Sequence, residues 1–143
     1  MSKSVKSKKK IIIFAVVIFA VILLLIWYNV PSTFLKSTDA SEVAFIQVFN
    51  GNSGNKFDIT NKEQISYIVE NVQKQAFDKE GLSLFRMGTL FTLSFCDSNG
   101  KVVSEFTVNS DNTIRKDPFF YVTDGNMNII EYLQFIEEEM ELK

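Results

Sequence analysis

Histidine is absent from the 143 residues. That removes Ser-His-Asp and Cys-His catalysis and every metal site that needs an imidazole. There is a single cysteine, Cys96, so no internal disulfide can form and no zinc ribbon or finger can be built. Beyond residue 28 the only arginines are Arg86 and Arg115. That part of the chain is acidic, which makes a poor nucleic-acid binder. No long apolar run occurs after residue 28 either. What remains is ordinary for a folded protein: 46% hydrophobic and 22% charged residues, enough to exclude wholesale disorder.

The formal charge of −2 conceals two unlike segments. Residues 1–10 carry Lys3, Lys6, Lys8, Lys9 and Lys10 and no acid. Residues 11–28, Ile11 to Tyr28, contain no charge, no Gly and no Pro. The rest holds ten bases against all 17 acids, a balance of −7.

Eighteen apolar residues at ~1.5 Å each make a helix of about 27 Å, close to the ~30 Å hydrocarbon core of a bilayer. The β-branched residues in the run are no handicap there, because a helix satisfies its backbone hydrogen bonds internally. Trp27 and Tyr28 end the run as interfacial residues do, and the lysines before it assign the cytoplasmic side. The expected protein is single-pass, with its C-terminal part outside the cytoplasm. The competing reading is secretion after signal cleavage. Signal h-regions span ~7–15 residues and lead into small residues, whereas this run ends in Trp27-Tyr28-Asn29-Val30-Pro31, and Thr38-Asp39-Ala40 is a poor cleavage site. No cysteine follows closely enough to accept a lipid anchor.

The predicted organisation is a basic cytoplasmic tip at 1–10, a transmembrane helix at 11–28, a tether at 29–41 and an α+β domain at 42–143. The Ser- and Thr-rich stretch after Pro31 suggests the tether. Val43–Phe49 and Lys56–Thr60 flank the Gly/Asn-rich turn at 50–55 and read as a hairpin. Thr60-Asn-Lys-Glu63 fits a capping box with Thr60 as the cap. Ile65, Ile68, Val69, Val72 and Ala76 then share one face of a helix predicted over Asn61–Phe77, with Gly81 as its stop signal. Thr89, Phe91, Leu93 and Phe95 alternate with polar neighbours as a strand. Asp97-Ser-Asn-Gly100 turns the chain into Lys101–Val108, and Asn109–Asn112 turns it again into Thr113–Arg115. Pro118 argues against a central ladder position, and Phe119–Val122 resumes β character. Ile129, Leu133, Ile136 and Met140 mark a second amphipathic helix starting near Thr123–Asn126. The order is β-β-α-β-β-β-α: a small antiparallel sheet with two helices on one face.

The chemistry-bearing residues are few. Cys96 falls on the polar side of its strand beside a turn, where it would be a partly exposed free thiol. Such a thiol suits intermolecular pairing or redox sensing, or is simply a small semi-buried residue. Glu137, Glu138, Glu139 and Glu141 read as a solvated helix face. Counted from Asp97 and Asp111, the twelfth positions are Val108 and Val122, so neither loop is an EF-hand. Gly51-Asn-Ser-Gly54 lacks the Gly-Lys-Ser/Thr ending of a phosphate loop. No catalytic set, cofactor site or metal site is expected. Phe119, Phe120 and Tyr121 alternate between the two faces of a strand, so at least one aromatic is expected away from the helices. That makes them the candidate surface for a protein or peptide partner.

The lysine-rich start and single span, followed by a small domain with Ile46–Gly51, Asp58–Glu63 and Asp97–Lys101, resemble small membrane-anchored or lipoprotein domains of unknown function from Gram-positive bacteria. The resemblance covers most of residues 43–136 and implies no activity. The missing lipid-accepting cysteine departs from the lipoprotein members.

Overall fold

The structure, a computed structural model, describes residues 2–86 and 88–142, with side chains from residue 8 on. It divides into two units, residues 1–30 and 31–143.

The first unit is one helix, α1 (Ser2–Asn29). Its apolar side chains point in all directions, and every described side chain from Lys8 to Asn29 is exposed. Such a helix has no stripe with which to dock on a sheet.

The second unit is α+β. Its strands are β1 (Phe45–Asn50), β2 (Lys56–Ile59), β3 (Asp78–Leu82), β4 (Phe91–Cys96), β5 (Val102–Ser110), β6 (Thr113–Lys116) and β7 (Phe119–Val122). Its helices are α2 (Lys62–Gln73) and α3 (Ile130–Glu141). The strands form one antiparallel sheet in the order β2-β1-β4-β5-β6-β7-β3. α2 therefore carries the chain from one edge of the sheet to the other. β4 restarts in the middle, and short turns then lead outward to β7.

The expected alternation decides which face is covered. Ile46, Val48, Phe91, Leu93, Phe95, Phe106, Val108 and Ile114 lie on one side of the sheet. They form a single buried cluster with Ile65, Ile68, Val69 and Val72 of α2 and Leu133 and Ile136 of α3. Both helices thus cover one face and the other is open, a common arrangement for antiparallel sheets. Gly51 closes the β1–β2 turn against Leu90, its N–H bonding the Leu90 carbonyl at 2.8 Å. A Cβ there would stand 2.1 Å from the Thr89 carbonyl oxygen, so only glycine fits.

Several local expectations are corrected. β3 was missed, because Asp78-Lys-Glu-Gly-Leu82 has no apolar alternation. It is an edge strand held by β7 alone, and Gly81 lies inside it rather than stopping a helix. The N-cap of α2 is Asn61, whose Oδ1 accepts from the Glu63 and Gln64 amides at 2.8 and 3.3 Å, so Thr60 is not the cap. The helix ends at Gln73, leaving Ala76 exposed. Phe77 leaves the helix to enter the core, edge-on to Phe34 at 5.2 Å. Pro118 occupies the two-residue loop between β6 and β7. α3 starts at Ile130, well after Thr123–Asn126, and Met140 on its expected apolar face is exposed.

The stretch expected as a tether is built into the domain. Ser32 and Phe77 exchange backbone hydrogen bonds of 2.7 and 2.9 Å. Phe34 and Leu35 are buried in the core. The Gln73 amide donates to the Leu35 and Thr38 carbonyls at 2.6 and 2.7 Å. Polar composition hid two apolar anchors among serines and threonines.

Candidate functional site

Where α2 and α3 lie side by side, the helix face opens into a groove of about 480 Å³. Tyr67 of α2 lines it, with Glu131, Tyr132 and Phe135 of α3, Asp111 of the β5–β6 turn, and Asn126 and Asn128 of the loop before α3. The Tyr67 and Tyr132 rings pack tilted at 4.3 Å between centroids. The Tyr67 hydroxyl donates to the Asn128 carbonyl at 3.3 Å. Phe135 is 52% exposed and Tyr67 39%. The groove therefore offers aromatic surface to solvent, unlike the closed core behind it.

Asp111 builds one wall. α3 has no side-chain cap of its own at Ile129. Instead, Asp111 Oδ1 accepts from the Ile129 and Ile130 amides at 2.9 and 3.0 Å, and its carbonyl accepts from Met127 at 2.8 Å. A carboxylate satisfies the orphan donors and complements the helix dipole. Asn128 takes a left-handed backbone with φ 53°, which Asn tolerates better than most residues. Asn126 Oδ1 accepts from the Asn128 amide at 2.7 Å. Burial pushes the Tyr132 phenol up, and Tyr67, Glu139 and Glu63 push the same way. Among the described residues no basic side chain lines the groove; Asp111 and Glu131 supply its charges.

At the other end of α3, Glu137 is buried, not solvated as its acidic neighbourhood suggested. Asn50 Nδ2 donates to its Oε2 at 2.7 Å, and Ser53 Oγ and Asn55 Nδ2 donate to Oε1 at 2.9 and 2.8 Å. Burial raises the Glu137 carboxyl, but the hydrogen bonds from Asn50, Asn55 and Ser53 outweigh it and hold the group below its ordinary value. These contacts pin the β1–β2 turn to α3.

Cys96 is buried, 1% exposed. The β4–β5 register shifts between Phe95 and Cys96, so the simple alternation that put Cys96 on the polar side fails there. Burial pushes the thiol up, and Asp58, Asp97 and Glu105 push it further. A thiol held protonated is a poor nucleophile.

Phe119, Phe120 and Tyr121 divide as alternation requires. Tyr121 turns to the helix side, edge-on to Phe34 at 5.0 Å, with Phe119 6.3 Å away. Phe120 is on the open face, where the register aligns it with Arg115, Thr107, Thr92 and Phe49 across the sheet. The Arg86 guanidinium stands 6.0 Å over its ring and the Lys56 ammonium 5.7 Å over Phe49. All three residues at 119–121 are half-buried. Sequence reasoning did not find the groove, because Tyr67 of α2, Asp111 of the β5–β6 turn and Phe135 of α3 meet only in the folded domain.

Among the described residues no group of three or more Cys, Asp or Glu side chains is placed to hold a metal. No family model, no curated protein and no solved structure matches the chain.

Proposed function

We propose that this is a single-pass membrane protein of the kind found in Gram-positive bacteria, with residues 1–10 in the cytoplasm and the α+β unit outside. The unit acts as an interaction module for a protein or peptide partner. The anchor reading is supported by α1, whose segment Lys8–Asn29 is long and apolar enough to cross a membrane. Its uncharged run Ile11–Tyr28 follows Lys8–Lys10 and ends in Trp27 and Tyr28, the order that the positive-inside rule and interfacial aromatics favour.

The interaction reading is carried by the groove between α2 and α3. Its exposed Tyr67 and Phe135 rings are the residue types on which binding hot spots are built. A catalytic reading has less support. Among the described residues, the carboxylates Asp111 and Glu131 share the groove with no cysteine, lysine or serine that could act as a nucleophile.

A photo-crosslinking phenylalanine analogue in place of Phe135 tests the module in intact cells. The expected result is a discrete adduct that Tyr67→Ala abolishes and that the same analogue at Glu80 does not form. Absence of any adduct, or equal adducts at both positions, overturns the module. Replacing residues 11–28 by an unrelated span separates the module from a subunit that works through its membrane helix. The adduct survives the swap in the first case and is lost in the second.

A further inference from the structure

Among the described residues every charge lining the groove has one sign, and the Tyr67 and Phe135 rings are exposed. Aromatic faces attract cations, with Lys and Arg side chains the usual donors. Carboxylates attract the same groups and repel acidic ones. Glu131 and Asp111 stand at the groove itself, and Glu63 and Glu139 lie near enough to push on the Tyr132 phenol. One polar atom of each side-chain amide in the groove is engaged locally. Asn126 Oδ1 takes the Asn128 amide, Asn128 Nδ2 reaches back to the Asn126 carbonyl at 3.4 Å, and the Asn126 carbonyl also receives Gln75 Nε2 at 3.2 Å.

We infer that the Tyr67–Tyr132–Phe135 groove, with Glu131 and Asp111 at its wall, receives a basic peptide segment of a protein partner and seats a Lys or Arg side chain on the aromatic rings. The inference rests on the interaction-module reading and adds the chemistry of the partner. Its volume of about 480 Å³ lies within the ~300–1,000 Å³ of ordinary ligand clefts. That is room for one or two side chains, so the rest of a peptide would lie along α3.

The test uses the full chain in phosphatidylcholine nanodiscs and fluorescence anisotropy. The probe is a labelled nonapeptide of alternating Lys and Gly, compared with counterparts carrying Ser or Glu in place of Lys. The Lys peptide should bind about tenfold or more tightly than the Ser peptide, a difference of ~1.4 kcal/mol. The Glu peptide should not bind. Phe135→Ala and Glu131→Gln should each weaken the Lys peptide about twofold to fivefold, the range that exposed cation–π and charge contacts supply. Both residues are exposed, so neither change threatens the fold. Glu80→Gln removes the same charge from β3 and should change little.

Equal weakening by Glu80→Gln and Glu131→Gln would mean diffuse attraction to an acidic domain and overturns the inference. So does failure of the Lys peptide to bind. If the Ser peptide binds as well as the Lys peptide and Phe135→Ala weakens both, the charge preference is wrong while the interaction module stands. Loss of the position-135 adduct in cells removes the module itself.

Discussion

α1 and α2 are both rich in Ile and Val, yet they meet opposite fates. In α2 the apolar residues fall at Ile65, Ile68, Val69 and Val72, on one stripe, and all four are buried against the sheet. In α1 they surround the axis, and Ile11 to Trp27 are exposed throughout. Arrangement, rather than hydrophobicity, decides what each helix takes as its solvent. A stripe closes on a neighbouring layer of protein. An unbroken apolar cylinder has no such stripe, and its segment Lys8–Asn29 is long and apolar enough to cross a membrane.

The largest effect is expected where the domain begins. Phe34 packs against Phe77, Phe106 and Tyr121 at 5.2, 5.4 and 5.0 Å. Phe34→Ala should cost ~3–5 kcal/mol. A fragment of residues 31–143 should therefore melt cooperatively in urea, while one of residues 42–143 should be far weaker or unfolded. Equal stability of the two fragments would return residues 31–41 to the status of a tether.

Next comes the same chemistry in the two helices. Ile68→Ala should cost ~2–5 kcal/mol in the urea melt. In the full chain held in nanodiscs, Leu24→Ala in α1 should leave the domain's urea melt unchanged, as should the surface change Lys74→Ala. An equal loss from Leu24→Ala would tie α1 to the folding of the domain.

Glu137 is expected to have an intermediate effect. Glu137→Ala strands the Asn50, Ser53 and Asn55 donors and should cost ~1–3 kcal/mol. Because the folded carboxyl is held below its ordinary value, its contribution is present above the unfolded pKa. It is lost as pH falls through the folded one. The wild-type domain should weaken on the acid side, and Glu137→Gln should flatten that part of the profile. An unchanged acid limb in the variant would place the titration elsewhere.

The smallest effect is at the helix cap. Asn61→Ala should cost ~0.5–2 kcal/mol, and Thr60→Ala clearly less. The reverse order in urea melts would restore Thr60 as the cap.

How much of this was legible follows the range of the interaction concerned. The α2 stripe and the Phe91-Leu93-Phe95 face of β4 are local periodicities, and they were readable directly. The assignment to an α+β fold with an antiparallel sheet rests on them. The Asn61 cap was missed by one residue, since Thr60 and Asn61 are both good caps and the backbone chooses between them. Other features depend on partners distant in sequence. β3 exists because β7 offers it an edge, Asp111 caps a helix 18 residues away, and Glu137 is buried because Asn50 and Asn55 reach it. Phe34 becomes a core residue only once Phe77 leaves α2. The groove belongs to this second class: its rings come from α2 and α3, and only their packing makes them one surface.

The proposed topology has α1 cross a bilayer and leave the domain outside the cytoplasm. Ser37 is exposed in the first stretch of the domain, and the native Cys96 is buried. A Ser37→Cys, Cys96→Ser protein treated with a membrane-impermeant maleimide tests the claim directly, with intact-mass analysis of the membrane fraction. The account predicts labelling in intact cells of a membrane-bound chain that retains residues 11–28. Labelling only after lysis, or recovery of a chain shortened before residue 37 in the medium, would contradict it.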